Sequence, residues 1–147
     1  MAMSRAKRFE LLLELQRKNE AQAAEALAAC VSRLNDERNR IESLEIYYRE
    51  YQQRFADSRL RLRAKDLMAQ RSFLQQISDA CSQQRKAVEL AEQQLAAGQQ
   101  TWRAEHLKTE NLARYREKLL QQDATLADKK EQRDLDALAI RRSASKI

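Results

Sequence analysis

The fold is decided by residues 27–62, which read LAACVSRLNDERNRIESLEIYYREYQQRFADSRLRL. One series of residues recurs every seven positions in this stretch, and a second series lies three positions after it. The first series is Leu27, Leu34, Ile41, Tyr48, Phe55 and Leu62, and the second is Cys30, Glu37, Leu44, Tyr51 and Ser58. Mostly apolar residues at this paired seven-residue spacing predict a left-handed coiled coil.

The second half of the chain carries a seam of its own. Its two series are Leu67, Leu74, Cys81, Val88, Leu95 and Trp102, and Ile77, Gln84, Ala91, Gly98, Glu105, Leu112, Leu119 and Leu126. Leu62 and Leu67 are five residues apart, so the two seams are out of phase. We expect an all-α fold, a long antiparallel two-helix coiled-coil hairpin. Helix 1 covers about 4–58, a tip about 59–65 with the reversal near Leu62, and helix 2 about 66–141 after an N-cap at Asp66.

Composition supports helices throughout. The 147 residues include no proline and one glycine, Gly98, so the turn chemistry that an α/β or β domain needs is missing. We expect a single unit over 1–147 that ends in a frayed basic tail. A three-helix bundle broken near Gly98 and a single continuous helix that dimerises are the alternative folds.

Hairpin pairing predicts a surface near the tip. With a reversal near Leu62, Tyr51 faces Phe73, Tyr47 faces Ile77, Leu44 faces Ala80, and Arg40 faces Gln84. The two stripes then form one aromatic-rich apolar patch, which is a candidate protein interface. The alternative is that the wide aromatic side chains fill a splayed gap between the helices.

Basic residues gather at both ends of the predicted hairpin. The net charge is +6, and most charges are mixed along the helices, as is typical of solvated helix faces. The tip carries Arg59, Arg61, Arg63 and Lys65, which suit either a polar turn or an acidic protein or lipid surface. The end bearing both termini carries Arg5, Lys7, Arg8, Lys129, Lys130, Arg133, Asp136, Arg141 and Arg142. This end is either a solvated terminus or a plug for an acidic socket.

No motif predicts site chemistry. His106 is the only histidine and has no triad-like neighbours on its own helix, and no Gly-rich phosphate loop is present. Cys30 and Cys81 are too distant to suggest a disulfide framework or a metal site. We therefore expect no enzymatic activity, no catalytic residues, no cofactor and no metal. We also expect a cytoplasmic protein without a membrane span, and no nucleic-acid binding, because acidic residues dilute the basic clusters.

Three segments resemble the family of the flagellar export protein FliJ. The first is Tyr47-Tyr48-Arg49-Glu50-Tyr51, which is similar to the family's tyrosine pair spaced by four. The second is Phe73-Leu74-Gln75-Gln76-Ile77, which leads to Ala80 and Gln84. The third is DKKEQRDLD at 128–136, which is similar to a segment near the family's C-terminus, and Trp102-Arg103 resembles a tryptophan site on the second helix.

The resemblance implies a coupling protein similar to the γ stalk of rotary ATPases. The end bearing both termini would dock in the hexameric export ATPase, and export chaperones would be further partners. The contacts with the cytoplasmic domain of the export gate would be Leu44, Tyr47, Tyr51, Phe73, Ile77, Ala80 and Gln84. The chain would act at the cytoplasmic face of the inner membrane, at the flagellar basal body, and meet the membrane only through partners.

The chain departs from the resemblance at three places. Gln84 stands where the best-known members have histidine, and Arg40 stands where they have glutamine. Arg61-Leu62-Arg63 replaces a loop that bears glycine and serine in those members. Stalk proteins of virulence type III secretion share the architecture, and a generic coiled-coil adaptor is a further alternative, but the 128–136 segment favours the flagellar branch.

Overall fold

The protein is a helical hairpin of two long helices. The computed structural model describes residues 4–58 and 63–145. α1 spans Arg5–Ser58 and α2 spans Ala64–Ser145, and the two helices pack against each other. The predicted all-α hairpin is confirmed. α2 continues through Gly98 without a break, which rules out the alternative three-helix bundle.

The helix ends differ from the expected bounds by a few residues. Ser4 precedes α1 and its Oγ accepts a hydrogen bond from the Lys7 backbone N–H (3.2 Å), as an N-cap does. Asp66 is not an N-cap, because α2 begins at Ala64 and places Asp66 in the first turn. A carboxylate there is favoured by the unpaired N–H groups of the helix start. The segment 142–145, expected to be a frayed tail, is helical.

Part of the expected tip cannot be compared with the structure. Leu62, where we placed the reversal, lies with Arg59, Leu60 and Arg61 outside the described residues. Arg63 and Lys65 are exposed. No helix in the described part of the chain is long and apolar enough to cross a membrane.

Contacts between the helices group the chain into two units. The first combines Met1–Ala21 with Arg103–Ile147, and the second is Gln22–Trp102. Each unit buries its own side chains, and every one of them occupies a heptad position. The buried residues of the first unit are Ala6, Leu13, Gln16 and Leu119. Those of the second unit are Ala23, Leu34, Ile77, Cys81 and Ala91.

Leu126 does not belong to the seam, in contrast to the sequence expectation. Its side chain is 60% exposed, whereas Leu119, one heptad earlier, is 5% exposed. α1 begins at Arg5, and no described residue of α1 extends far enough to cover Leu126. The paired part of α2 therefore ends near Leu119.

Candidate interaction surfaces

Three aromatic rings of the second unit form a cluster between the helices. The ring centroids of Tyr51 and Phe73 are 5.0 Å apart, which confirms that these residues face each other. Phe55 joins them at 5.7 Å from Tyr51 and 6.0 Å from Phe73. All three side chains are half-buried, so much of this aromatic surface fills the space between α1 and α2.

Tyr47 extends this cluster to the outside. Its ring lies 4.5 Å from that of Tyr51, and its side chain is 42% exposed. A hydrogen bond to Tyr51 raises the pKa of the Tyr47 hydroxyl. The guanidinium of Arg54 lies 5.3 Å from the centre of the Tyr51 ring, within the range of a cation–π contact. The outer edge of the cluster therefore combines an aromatic face with a positive charge.

The heptad positions explain this arrangement. Tyr47 and Phe73 each come one residue before a seam position, at Tyr48 and Leu74. In an antiparallel pair, residues at this position flank the seam on the same side of both helices. Aromatic side chains are long enough to meet there and still reach the solvent.

The remaining residues of the expected patch divide between surface and seam. Leu44 and Ala80 are half-buried at the edge, whereas Ile77 is only 7% exposed and belongs to the core. The Gln84 amide donates to the backbone carbonyl of Glu37 (3.0 Å) and to its carboxylate. Arg40, which we expected opposite Gln84, pairs with Glu37 (3.4 Å). The accessible aromatic surface is therefore Tyr47 with the outer edges of Tyr51 and Phe73, hereafter the tyrosine edge.

Sequence reasoning missed two members of this region. Phe55 was assigned to the seam alone, although it lies four residues after Tyr51 and can contact it on the helix surface. Arg54 lies three residues after Tyr51, and the same spacing rule could have found it.

The first unit carries the basic residues of both chain ends. The Phe9 ring lies 4.7 Å from that of Tyr115, and Arg116 pairs with Glu10 at 3.4 Å. These contacts join the start of α1 to α2. The basic residues Arg5, Lys7, Arg8, Lys129, Lys130, Arg133, Arg141 and Arg142 are all exposed, as is Asp136.

No described part of the chain packs on the last part of α2. Every described residue from Leu120 to Ser145 is exposed, and we call this stretch the uncovered segment. It includes the apolar side chains Leu126, Leu135, Leu138 and Ile140, which are 49% to 69% exposed. The charges of this segment were predicted from the sequence, whereas these apolar residues were not, although Leu135 and Leu138 have the i, i+3 spacing of neighbours on a helix.

His106 bridges two carboxylates in the first unit. Its Nδ1 lies 2.7 Å from Glu20 Oε1, and its Nε2 lies 3.2 Å from Glu110 Oε1. The hydrogen bond to Glu20, together with the charges of both carboxylates, raises the pKa of His106. Glu110, four residues after His106, was a helix-spaced partner that the sequence analysis missed.

Thr109 adds a hydroxyl group to the surroundings of His106 and Glu20. The Thr109 hydroxyl donates to the Glu105 carbonyl (3.0 Å) and also lies near Glu20. Thr109 and His106 together lower the pKa of Glu20. Within the described ranges 4–58 and 63–145, no group of His, Cys, Asp and Glu is arranged to hold a metal ion.

The fold and its surfaces define a coiled-coil hairpin that presents aromatic and charged patches. The sequence profile of a family described as "Flagellar FliJ protein" matches residues 5–146. The chain belongs to this family, as the resemblance implied. Membership identifies it as a component related to flagellar export. No curated protein and no solved structure gave a significant match to the chain.

Proposed function

We propose that this chain is a non-enzymatic coupling component, a central stalk, of the flagellar type III export apparatus. The first unit docks in the hexameric export ATPase, and the tyrosine edge contacts the cytoplasmic domain of the export gate. Export chaperones are further partners. The chain acts at the cytoplasmic face of the inner membrane and reaches the membrane only through its partners.

The exposed ring of Tyr47 carries the gate assignment. Tyr51 and Phe73 contact each other within the hairpin, and Phe55 adds a third ring, so filling the gap does not require Tyr47. Tyr47 is nevertheless held against Tyr51 while 42% of its side chain remains exposed. A fixed, half-exposed tyrosine beside an arginine is the type of residue that dominates protein interfaces.

Replacement of Tyr47 tests this surface, and the neighbouring residue offers a matched control. Ile46 is 41% exposed, almost the same as Tyr47, but contributes no ring to the cluster. We expect Tyr47→Ala to weaken binding to the gate domain by about tenfold or more, and Ile46→Ala to leave it nearly unchanged. Isothermal titration calorimetry measures both affinities, and circular dichroism checks that helix content is retained. Equal affinities for the two variants would remove the tyrosine edge from the gate contact.

The uncovered segment carries the ATPase assignment. Its basic side chains and its apolar side chains are both exposed on a helix that nothing in the described chain covers. A partner that surrounds this helix could pair with the charges and bury the leucines. Leu135 and Leu138 are neighbours on one side of the helix, and exposed apolar surface rimmed by charges is a common mark of an interaction site.

Two variants separate the two kinds of contact with the ATPase. Lys129→Glu with Lys130→Glu and Arg133→Glu reverses the charge, and Leu135→Ser with Leu138→Ser removes apolar surface. We expect each set to reduce co-purification with the export ATPase, and deletion of 127–147 to abolish it. Binding that survives the deletion would contradict this docking end.

Co-purification of the unaltered chain with the export ATPase is the first experiment to perform. Stalk density inside a hexameric ring, with raised ATPase activity, would support the coupling function. A chain that is dimeric by light scattering and does not associate with the ATPase would instead favour a generic coiled-coil adaptor.

A further inference from the structure

Two polar layers interrupt the apolar seam, one in each unit. In the first unit, Gln16 Nε2 donates to the Glu105 carboxylate (2.6 Å) and to the Glu105 carbonyl (3.0 Å). In the second unit, Gln84 makes the same pair of hydrogen bonds with Glu37. Each layer therefore joins one glutamine amide to both acceptors of one glutamate on the other helix.

These polar groups are largely removed from solvent. Gln16 is 8% exposed, and the side chains of Glu37 and Glu105 are 12% and 22% exposed. The hydrogen bond from Gln16 is the main reason that the pKa of Glu105 is lowered. No buried side-chain nitrogen or oxygen in the described part of the chain lacks a hydrogen-bond partner. The two glutamine amides are thus satisfied only because the two helices meet in this pairing.

The spacing of the layers is the same on both helices. Glu37 follows Gln16 by 21 residues on α1, and Glu105 follows Gln84 by 21 residues on α2. This spacing equals three heptads, so both layers fall on seam positions and require one common pairing. The order is reversed between the layers, because α1 supplies glutamine to the first and glutamate to the second.

A shift of α2 by one heptad would break both layers. It would keep seam positions opposite seam positions, but Gln16 would face Leu112 or Gly98, and Glu37 would face Ala91 or Ile77. Gln84 would then face Leu44 or Cys30, and Glu105 would face Ala23 or Phe9. Both glutamine amides would lose their partners, and each glutamate would keep only the basic residue of its own helix, Arg40 or Lys108. Losing these hydrogen bonds is costly for groups removed from water.

The sequence between the helices lacks the residue types that usually specify a turn. Residues 59–63 read RLRLR and contain no glycine, proline, asparagine or aspartate. Those residue types normally specify turn geometry. Apolar residues in a heptad seam are also largely interchangeable, so a shifted pairing would bury a similar set of side chains.

We propose that the two glutamine–glutamate layers set the register of the hairpin and thereby hold Tyr51 opposite Phe73. A shift by one heptad would place Tyr51 opposite Ala80 or Asp66 and would take the tyrosine edge apart. Gln16, Glu37, Gln84 and Glu105 are therefore positioning residues for that surface.

Cysteine pairs on the exposed flank can read the register directly in the full chain. Arg38 and Glu92 meet in an ion pair of 3.5 Å, so Arg38→Cys with Glu92→Cys reports the present register. Arg38→Cys combined with Gln99→Cys or with Arg85→Cys reports a shift of one heptad in either direction. Cys30→Ala and Cys81→Ala remove the native thiols, and mild oxidation of dilute monomer followed by mass spectrometry measures each intramolecular disulfide.

The decisive variant replaces all four polar residues with leucine. With Gln16, Glu37, Gln84 and Glu105 intact, we expect the disulfide between positions 38 and 92 alone. With all four changed to Leu, we expect the shifted disulfides to increase by at least about tenfold relative to the native one, because no pairing leaves a polar group unsatisfied. A leucine variant that still forms only the 38–92 disulfide would overturn the proposal.

An exchange variant separates pairing from general stability. Gln16→Glu with Glu105→Gln, and Glu37→Gln with Gln84→Glu, keeps one amide and one carboxylate in each layer. We expect this variant to restore the 38–92 disulfide alone, and shifted disulfides as abundant as in the leucine variant would also overturn the proposal. If four leucines cause aggregation, two further variants carry leucine in one layer only, either at Gln16 and Glu105 or at Glu37 and Gln84. A disulfide pattern that is unchanged in both of these variants would contradict the proposal.

The measurement does not involve the export gate or the ATPase. Its failure would leave the proposed function standing, and a failure of gate binding would leave the register assignment standing.

Discussion

α2 contains two stretches that are equally helical but differ in burial. Between Ala64 and Leu119 its heptad residues pack on α1, and Ala91 is only 3% exposed. In the uncovered segment the apolar side chains continue, yet Ile140 is 69% exposed. Both stretches are rich in residues with high helix propensity, so helix formation does not distinguish them. The difference arises from the partner helix, because α1 begins at Arg5 and covers only the first stretch.

The apolar residues of one helix therefore have two different roles. In the covered stretch the apolar residues stabilise the hairpin itself. In the uncovered segment they contribute little to the isolated chain and are available to another molecule. The same residue type should therefore have opposite importance for stability and for binding in the two stretches.

Core truncation is the largest effect that we expect. Leu13 is the most deeply buried large side chain at 2% exposure, whereas Leu138 is 49% exposed. Leu13→Ala should lower the free energy of unfolding by about 2–4 kcal/mol, because it removes packed atoms and leaves a cavity. Leu138→Ala should change it by less than about 0.5 kcal/mol. Urea unfolding followed by circular dichroism measures both, and similar losses would mean that the uncovered segment packs on something in the isolated chain.

Amide hydrogen exchange should show the same contrast along a single helix. Backbone amides of the uncovered segment are protected only by their own helix, which is marginal in isolation. Amides near Ala91 are protected by packing in addition, so they should exchange at least about a hundredfold more slowly. Mass spectrometry of peptic fragments reads both regions in one sample. Uniform protection along α2 would contradict the distinction between the stretches.

The seam and the facing of Tyr51 and Phe73 could be predicted because heptad spacing and antiparallel pairing constrain them strongly. The prediction failed where the length of the partner helix mattered. Leu126 fits the heptad series but is 60% exposed, because its burial depends on where α1 begins. A sequence pattern identifies which face is apolar, but it does not identify what covers that face.

The heptad position also predicts which residues of the candidate surfaces are exposed. Tyr47 was correctly placed outside the seam by its position, whereas Ile77 was assigned to the patch and is 7% exposed. Ile77 occupies a heptad position, so the seam pattern alone was enough to remove it from the surface. The bridge from His106 to Glu20 required knowledge of the helix pairing, since the two residues are 86 positions apart.

Gly98 tests how tightly the covered stretch is packed. A Cβ added there would lie 3.6 Å from Leu27 Cδ1 and 3.7 Å from Cys30 Sγ, which are ordinary van der Waals distances. Gly98→Ala should therefore raise the free energy of unfolding by about 0.5–1 kcal/mol, because alanine favours the helix and fits the space. Ala124→Gly in the uncovered segment is the matched reverse change and should reduce helix content with little effect on the urea midpoint. A loss of stability in Gly98→Ala would show closer packing than these distances allow.

The smallest effect that we expect is a pH dependence of the covered stretch through His106. The protonated ring donates to Glu20 and Glu110, so the pKa of His106 is raised. The contribution of the protonated ring to the free energy of unfolding is therefore complete below the ordinary histidine pKa. That contribution should fade as the pH rises through the raised value. At the acidic side the pKa of Glu20 is lowered, so the contribution is complete above the ordinary carboxyl pKa and fades as the pH falls through the lowered value.

The stabilising effect of the bridge should therefore be greatest between the ordinary carboxyl pKa and the ordinary histidine pKa. His106→Gln keeps a hydrogen-bonding side chain but cannot titrate, so the difference in melting temperature between the unaltered chain and this variant should peak in that interval. NMR titration of the single imidazole measures the pKa itself. A His106 pKa at or below its ordinary value would show that the carboxylates do not hold the ring in solution, and the covered stretch near His106 would then depend on apolar packing alone.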